Sequence, residues 1–366
     1  RLKESNYRII GGEALPGDNT KKDIRSMLVN EIADDFKNEG LPNFRAKQVY
    51  SWLSRGAISF DEMTDLSKDL RSALKEKYHI ASPKIIKKLV SAVDGTVKYL
   101  FEFDDGARVE SVVMQYRYGK TICLSTQAGC KMGCVFCATG KGGFLRDLTA
   151  GEILSQIIAA SNDLHCKIQN AVLMGMGEPL DNFDNVSRFL MLATDEQGMN
   201  MSSRKITLST CGLVDKIMPL CDVNDQITLS ISLHAPNDDI RREIMPIARK
   251  VSFDELMETC KKYIKRTNKR ITFEYTMIDG VNDSNACAVQ LAERLKGMLC
   301  HVNLIPVNAV KGCDKQASSK QRIKSFFDIL NNAGVSATVR RTLGSDINAS
   351  CGQLKTKEDS EVQKTR

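Results

Sequence analysis

Apolar residues recur at two different spacings along the chain. From Lys22 to about Ile80 they recur every three or four residues, the spacing of one face of a helix. From Val93 they alternate with polar residues, in TVKYLFEF and ARVESVVMQYR, on either side of a DDG turn at 104–106. The first pattern predicts a small helical domain, and the second predicts a β-hairpin that joins it to the rest of the chain.

Beyond the hairpin, short β-rich runs alternate with amphipathic segments. We expect strands at 121–125, 170–175, 205–210, 226–232, 270–277 and 301–306, and helices at 149–162, 184–194, 213–220, 252–266, 284–298 and 318–332. Six βα units predict an α/β fold with a parallel sheet, either open or rolled into an incomplete barrel. In both forms ligands bind at the carboxyl ends of the strands, so the residues there are the site candidates.

The predicted organisation has five parts. They are a flexible segment at 1–20, a helical accessory domain at 21–90, the hairpin at 91–120, the βα body at 121–345, and a C-terminal segment at 346–366. In the helical domain Arg45, Lys47 and Arg55 surround Trp52. This cluster is either an RNA-facing surface or a solvated face over a tryptophan core.

Composition narrows the class of protein. With 42% hydrophobic and 27% charged residues, the 366-residue chain is not disordered, collagen-like or a coiled coil. No apolar run approaches the roughly 20 residues that span a bilayer, and the first residues lack an apolar signal segment. We therefore expect a soluble cytoplasmic protein without a membrane partner. Twelve cysteines in a reducing compartment indicate metal binding or thiol chemistry rather than a disulfide framework.

The charge balance permits a polyanionic partner without requiring one. Fifty-two Lys and Arg against 45 Asp and Glu leave a net charge of +7. Three clusters are candidates for phosphate contacts: Lys84, Lys87 and Lys88; Arg117 and Lys120; and Lys261, Lys262, Lys265, Arg266, Lys269 and Arg270. Solvated helix faces are the simpler interpretation of most of them.

A cysteine loop follows the first predicted strand of the body. In QAGCKMGCVFCATG, Cys130, Cys134 and Cys137 have the spacing C-x3-C-x2-C. Three thiolates on one loop can hold three irons of a [4Fe–4S] cluster and leave the fourth iron open to a substrate or cofactor. The alternative is zinc, which needs a fourth ligand such as His165 or Cys166 beyond the next helix. The compact triplet favours iron and sulfur.

This loop, with Phe136 before its third cysteine, resembles the signature of the radical S-adenosylmethionine (SAM) superfamily. The resemblance implies that SAM chelates the open iron, that an electron cleaves it to a 5′-deoxyadenosyl radical, and that the fold is a partial (β/α)6 barrel. The sequence Gly175-Met176-Gly177-Glu178-Pro179, after the second strand, is then either a simple turn or part of the SAM site.

A narrower resemblance extends from about Pro42 to Leu354. The segments KMGCVFCATGKGGFLRDLTAGEI, VLMGMGEPLDN, ITLSTCGLV, SLHAPND, EYTMIDGVND, LIPVN and DINASCGQL are similar to the radical SAM RNA adenine methyltransferases. That family comprises carbon-2 enzymes, which modify ribosomal and transfer RNA, and their carbon-8 relatives. The segments resemble the carbon-2 branch more closely, and carbon 8 is the alternative.

The family resemblance implies a role for each matched residue. The residues implied to contact SAM are Gly177, Glu178, Ser209, Ser232, Leu233, His234 and Asn308. The implied cluster ligands are Cys130, Cys134 and Cys137. Cys351 would carry a methyl group as S-methylcysteine, Cys123 would be the second catalytic thiol, and Glu110 the proton acceptor. The remaining cysteines are expected to be small buried hydrophobic residues: Cys166, Cys221, Cys260, Cys287, Cys300, Cys211 and Cys313.

The resemblance also implies partners. These are 23S rRNA and tRNA, and an electron donor such as flavodoxin or ferredoxin, for a monomeric enzyme. Other hypotheses remain: a radical SAM enzyme that does not act on RNA, and an iron–sulfur or zinc module that binds RNA without catalysis.

Overall fold

The computed structural model describes residues 21–308 and 314–354. The helices are α1 Val29–Asn38, α2 Asn43–Ser54, α3 Lys68–Lys77, α4 Ala138–Gly142, α5 Ala150–Asp163, α6 Phe183–Thr194, α7 Val214–Asn224, α8 Asp238–Ile244, α9 Phe253–Thr267, α10 Asn285–Leu295 and α11 Lys320–Asn332. The strands are β1 Lys22–Asp23, β2 Tyr78–His79, β3 Lys84–Val90, β4 Val97–Glu102, β5 Arg108–Tyr116, β6 Gly119–Cys123, β7 Gln127–Gly129, β8 Phe144–Asp147, β9 Asn170–Leu173, β10 Ile206–Thr210, β11 Thr228–Ser232, β12 Ile271–Met277, β13 Cys300–Pro306 and β14 Ala337–Val339. The predicted flexible segment 1–20 lies outside the described residues, as do 355–366 and Cys313.

Ten strands form one sheet in the order β14-β13-β12-β11-β10-β9-β6-β5-β4-β3. From β6 to β14 neighbouring strands are parallel, and a helix packs between most successive pairs along the chain. The six predicted strands and six predicted helices of the body are confirmed to within a few residues. Parallel strands covered by helices are buried on both faces, which is why they appear in the sequence as continuous apolar runs.

The predicted hairpin is confirmed, but it belongs to the sheet rather than standing between two domains. β4 and β5 pair antiparallel, with Phe101 opposite Val109. β5 then pairs antiparallel with β6, with Val112 opposite Cys123. The hairpin therefore extends the sheet of the body and places β5 directly beside the strand that carries Cys123.

Two strands of the sheet were not predicted. β3 lies at one edge, within the region expected to be helical, and its lysines Lys84, Lys87 and Lys88 lie on a strand rather than on a helix. It pairs on one side only and its residues are mostly exposed, so KIIKKLV lacks the apolar run of a central strand. β14, at the other edge, has only three residues.

The sheet curls. In a flat sheet, β5 and β14 would be separated by seven strand spacings, about 34 Å at roughly 4.8 Å each. Val112 of β5 and Arg340, which follows β14, nevertheless line one cavity. The strands therefore wrap around the cavity as an incomplete barrel, and between residues 21 and 354 the described strands β3 and β14 do not pair with each other.

Helices α1 to α3 form a small cluster that packs on the outside of the barrel. Ile32 and Phe36 of α1 and Val49 and Leu53 of α2 are buried against each other. Ser67 caps α3 by accepting a hydrogen bond from the backbone N–H of Leu70 at 3.2 Å.

Polar contacts fix this cluster to helices α5 and α6 of the barrel. Arg188 of α6 donates to both carboxylate oxygens of Glu31, at 2.8 and 2.7 Å. The Tyr50 hydroxyl donates to Asp195 at 2.8 Å, just after α6. The backbone N–H of Gly151 in α5 donates to the Ser26 hydroxyl at 2.7 Å.

Trp52 is not the centre of a core. Its indole N–H donates to Asp65 at 2.6 Å, and the Arg55 guanidinium lies 4.6 Å from its ring centroid. Phe44 is 53% exposed, and the Arg45 guanidinium lies over its ring. The α2 surface therefore presents aromatic rings with cations over them. Within the described part of the chain, no helix is long and apolar enough to cross a bilayer.

Candidate active site

A cavity lies at the carboxyl ends of the parallel strands and encloses about 910 Å³, including space that is open to solvent. Ten of the residues singled out from the sequence line it: Cys130, Cys134, Cys137, Gly177, Glu178, Ser209, Ser232, His234, Asn308 and Cys351. The position of this cavity therefore agrees with the expectation, drawn from the sequence, that ligands bind at the carboxyl ends of the strands. Hereafter it is called the cofactor cavity.

The three cysteines of the loop face this cavity from the segment between β7 and α4. The backbone N–H of Cys130 donates to Gly143 at 2.8 Å, and that of Cys137 donates to Cys134 at 3.1 Å. Burial raises the pKa of Cys130 to about 12. Thiols in such surroundings become thiolates when they bind a metal centre, whose charge replaces the lost hydration.

The donor set fits an iron–sulfur cube better than a single zinc ion. Three thiols line one cavity, whereas neither His165 nor Cys166 does. Three cysteines that line one cavity suit the cube, whose irons are each held by a separate cysteine.

Glu178 presents a buried carboxylate at the end of β9. One oxygen accepts from the backbone N–H of Cys211 at 2.7 Å, and the other accepts from that of Leu180 at 3.0 Å. Burial raises the pKa of Glu178, and these hydrogen bonds act in the opposite direction. The carboxylate is thus held in place as a partner for a ligand ammonium.

Gly177 allows the backbone to bend next to that carboxylate. Its φ is +101°, and a Cβ atom there would lie 2.6 Å from Cβ of Gln127. Gln127 in turn accepts from the backbone N–H of Glu178 at 2.8 Å. The glycine therefore serves the close approach of two backbones as well as the turn.

Another part of the cavity wall is formed by the ends of β10 and β11. The hydroxyls of Ser209 and Ser232 lie 3.3 Å apart. His234 has a φ of +59°, its Nδ1 accepts from the backbone N–H of Thr276 at 3.0 Å, and its ring meets Phe136 edge-on. Hydroxyls and a neutral imidazole are suited to hydrogen bonding with a ribose or a base.

A second cavity, of about 720 Å³, adjoins the first and holds both candidate catalytic thiols. Cys123 and Cys351 line it, and Cys351 and Gly352 line the cofactor cavity too. The amide of Asn308 donates to the carbonyl of Cys351 at 3.0 Å. Hereafter this second cavity is called the thiol cavity. The two thiols, remote in sequence, thus share one space beside the cysteine loop.

The segment that carries Cys351 is fastened to the turn between β3 and β4. Asp346 accepts from the Ser91 hydroxyl at 2.7 Å and from the backbone N–H of Ala92 at 3.0 Å. Asp94 accepts from the backbone N–H of Gly344 at 2.8 Å. These contacts, hereafter the clasp, tie the last described segment to the sheet edge opposite β14.

Two predicted residues line neither cavity. Leu233 is fully buried in the core, and its backbone N–H donates to Glu274 at 3.1 Å. The Glu110 carboxylate is 2.8 Å from the Lys98 ammonium, and that ammonium also donates to the carbonyl of Asn348 at 3.0 Å. Glu110 therefore lies under the Cys351 segment, on the side of the thiol cavity.

Arg340 is a functional candidate that the sequence did not reveal. It lines both cavities and lies 3.6 Å from the Glu274 carboxylate. The charge of a Cys351 thiolate is the largest influence on the Arg340 guanidinium and raises its pKa. Burial raises the pKa of Cys123 to about 12, and Arg340 acts in the opposite direction. The guanidinium is therefore placed to stabilise thiolates in the thiol cavity.

Glu274 is the second unexpected residue. It lies in the middle of β12 and accepts hydrogen bonds from Ser230 and Asn303, both at 2.9 Å. Glu274 and Arg340 sit on distant elements and have no local motif. Arg340 follows β14, a strand that the sequence did not predict, so the expectation about strand ends did not include it.

The other cysteines are placed mostly as expected. Cys221, Cys260, Cys287 and Cys300 are buried, whereas Cys166 is partly exposed. Cys211 is buried and also lines the cofactor cavity.

Two family models match the chain. Residues 124–289 match the radical SAM superfamily, and residues 22–80 match the ribosomal RNA large subunit methyltransferase N-terminal domain. The first match contains the cysteine loop and the strand ends that line the cofactor cavity. The second spans β1, the helices α1 to α3 and β2.

Two related proteins and a solved structure are similar over most of the chain. A protein of Clostridium novyi (strain NT) named probable dual-specificity RNA methyltransferase RlmN is 49% identical, over 91% of this chain and 98% of its own length. A Clostridium tetani protein of the same name is 52% identical, over 90% of this chain and 95% of its own length. The crystal structure of a radical SAM methyltransferase from Sphaerobacter thermophilus superposes with a TM-score of 0.89 at 41% identity, covering 92% of this chain and all of that one.

Proposed function

Because the chain belongs to the RlmN family of radical SAM RNA methyltransferases, we propose that it methylates carbon 2 of an adenine in 23S rRNA and in tRNA. Enzymes of this superfamily use a [4Fe–4S] cluster and SAM, so the sequence-based expectation of both cofactors and of the radical SAM fold is confirmed. The observation that carries the proposal is the pair Cys123 and Cys351 in one cavity beside the cysteine loop.

Carbon 2 of adenine has no lone pair, which makes ordinary attack on the SAM methyl group ineffective. When bound, the cluster and SAM supply the methyl group and an organic radical able to take hydrogen from it. Cys130, Cys134 and Cys137 would hold the cluster, and Glu178 would pair with the ammonium of SAM. Ser209, Ser232, His234 and Asn308 would complete the pocket.

The residues of the thiol cavity then account for methyl transfer. Cys351 carries the methyl as S-methylcysteine; this methyl loses a hydrogen atom to the radical, and its carbon then bonds to the RNA base. The adduct gives up one electron, which an oxidised one-electron carrier accepts, and the ring proton, which is taken by a base for which Glu110 is the candidate. The Cys123 thiolate attacks the Cys351 sulfur, an S–S bond forms, the S–C bond breaks, and its electron pair stays with the carbon, which gains a proton.

Mass spectrometry tests the reaction. Anaerobic protein with its cluster, SAM and a reductant should convert adenine in rRNA and tRNA fragments to 2-methyladenine. Formation of 8-methyladenine would overturn the assignment of the carbon, and unmodified RNA would overturn the proposal.

Substitution of the two thiols tests their roles. Cys351→Ala should abolish RNA methylation and leave reductive SAM cleavage, whereas a radical SAM enzyme without a methyl carrier would stay active. Cys123→Ala should accumulate a covalent protein–RNA species on denaturing gels. Cys300→Ala, a buried cysteine of the core, is the matched control and should behave as the wild type.

We propose further that the α1–α3 cluster contacts the RNA. The Arg55 and Arg45 guanidiniums over aromatic rings of α2 suit phosphates and unpaired bases. The cytoplasm is the compartment in which ribosomal and transfer RNA are found, and a donor such as flavodoxin or ferredoxin would reduce the cluster. We propose a monomer, which light scattering would test.

A further inference from the structure

A pair of stacked tyrosines stands at the rim of the thiol cavity. Tyr116 of β5 is paired with Gly119 of β6, so Arg117 and Tyr118 alone connect the two strands. The rings of Tyr116 and Tyr118 are parallel to within 5°, with centroids 5.0 Å apart. Tyr118 is 69% exposed, so the outer ring of the stack is open to solvent.

The inner ring belongs to the cavity. Tyr116 lines it together with Cys123 and Cys351, and its hydroxyl lies 3.6 Å from the sulfur of Met114. The stack therefore leads from the solvent to the space in which the two candidate catalytic thiols lie. A ligand group that covers Tyr118 would be next to whatever occupies that space.

The connection that carries the stack is held in place. Gly119 has a φ of +117°, and a Cβ atom there would lie 2.7 Å from the side-chain oxygen of Gln169. That oxygen accepts from the backbone N–H of Lys120 at 2.7 Å, and the backbone N–H of Gln169 donates to Lys120 at 3.1 Å. A surface ordered in advance loses little entropy when a ligand covers it.

The surroundings of the stack are cationic. Arg117 lies in the same two-residue connection and Lys120 follows it, while Arg341 lines the thiol cavity. A flat, exposed aromatic face among cations, next to a cavity, suits a nucleobase attached to a phosphate backbone. It suits an apolar peptide less well, since the patch has only one open ring.

We propose that Tyr118, supported by Tyr116, is a stacking platform for an unpaired nucleobase of the RNA next to the adenine that enters the thiol cavity. The proposal rests on the proposed function. Stacking holds the neighbour in the splayed conformation that a flipped adenine requires. Because every base has a π-face, the platform selects an unpaired neighbour rather than a particular sequence.

Binding of a hairpin RNA with unpaired adenines in its loop tests the platform. Tyr118→Ala in the cluster-loaded enzyme should weaken binding about tenfold, the order expected for the loss of one stacked base. Tyr118→Phe should bind as the wild type, because it keeps the ring. Val289→Ala, an exposed apolar residue on α10, is the control and should have no effect.

Abasic substitutions in the RNA loop identify the partner. At one position beside the methylated adenine, the abasic RNA should bind wild type and Tyr118→Ala equally. The platform is wrong if Tyr118→Ala binds the RNA as wild type does, or if Tyr118→Phe loses as much affinity as Tyr118→Ala. It is also wrong if the difference in affinity between wild type and Tyr118→Ala persists at every abasic position.

Product analysis separates this proposal from the proposed function. If wild type binds the hairpin but forms no 2-methyladenine, the proposed reaction is wrong. The comparison of abasic RNAs still tests whether a base stacks on Tyr118. If 2-methyladenine forms and Tyr118→Ala is as effective as wild type at subsaturating RNA, the platform alone fails.

Discussion

At the scale of single residues, His234 shows how backbone and burial fix a side chain. Its left-handed backbone turns the ring into the cofactor cavity, and the hydrogen bond from Thr276 to Nδ1 requires that this nitrogen carry no proton. Burial, followed by the nearby Arg241 charge, lowers the pKa of His234 to about 3. The imidazole is therefore neutral at physiological pH and carries its proton on Nε2.

This shift predicts a pH dependence of stability. Between about pH 3 and the ordinary value near 6.5, the unfolded chain binds a proton at His234 that the folded chain does not. Stability therefore rises with pH across that window and is lost on acidification, by about 2 kcal/mol from pH 7 to pH 5. Urea unfolding of the cluster-free protein at the two pH values measures it.

The controls for this measurement are two histidine variants. His234→Gln should reduce the difference between pH 7 and pH 5 by that amount. His301→Gln should change it less, because that ring is partly exposed. An unchanged difference in His234→Gln would show that the imidazole is not held neutral by the fold.

Residues with local motifs could be predicted from the sequence, and those with only spatial partners could not. The cysteine loop and Glu178 lie in compact segments whose spacing carries the chemistry. Arg340 lies beside Glu274 and lines the thiol cavity with Cys351, and these residues come from elements far apart in the chain. Their proximity arises from the curl of the sheet, which no single segment encodes.

At the scale of elements, the turn after β9 depends on the absence of a side chain. In Gly177→Ala the new Cβ would lie 2.8 Å from the backbone nitrogen of Gln127 in addition to adopting a strained φ. We expect a loss of about 2 kcal/mol or more in unfolding free energy and weaker SAM binding. Gly280→Ala separates the two effects, because its φ is +67° but no atom lies within 4 Å; it should cost about 1 kcal/mol.

The clasp predicts a change confined to the Cys351 segment. Asp346→Ala removes the acceptor for Ser91 and Ala92, so the segment should open more often. We expect faster alkylation of Cys351, by several-fold, and slower RNA methylation with unchanged SAM cleavage. Peptide-resolved mass spectrometry of the alkylated protein measures the first effect.

Asp328→Ala serves as the comparison for the clasp variant, because it breaks only an exposed pair with Lys324 on α11. It should leave Cys351 alkylation unchanged. Equal alkylation rates in Asp346→Ala and wild type would show that the clasp does not restrain the thiol.

Elements buried on both faces were predictable because burial leaves a signal in the sequence. The six predicted parallel strands and their helices are apolar runs and amphipathic stretches bounded by turn residues. β3 has solvent on one side and lysines along it, and β14 is three residues long, so neither differs locally from a loop or a helix face. They are strands because β3 pairs with β4 and β14 pairs with β13.

At the scale of the whole molecule, the α1–α3 cluster is held on the barrel by a few polar contacts. Arg188→Met removes the two-oxygen contact with Glu31 between α6 and α1. We expect the cluster to shift against the barrel, which should raise the KM for RNA by up to about fivefold and leave SAM cleavage without RNA unchanged. Steady-state methylation over a range of RNA concentrations measures it.

Lys324→Met, which removes an exposed ion pair on α11, is the matched control and should leave the KM unchanged. If Arg188→Met lowers kcat and SAM cleavage together instead, the contact supports the barrel rather than RNA recognition.

The location of Cys351 near the end of the described chain has a consequence for how the enzyme is made. The sheet, the cysteine loop and Cys123 all leave the ribosome before Cys351 does. Gly352 and Leu354 are then fastened by the backbone N–H of Ala138 at 2.8 Å and by the Thr139 hydroxyl at 2.7 Å. A chain that stops before Cys351 would thus contain every strand of the sheet, the cysteine loop and Cys123, but it would lack the Cys351 thiol and these two contacts.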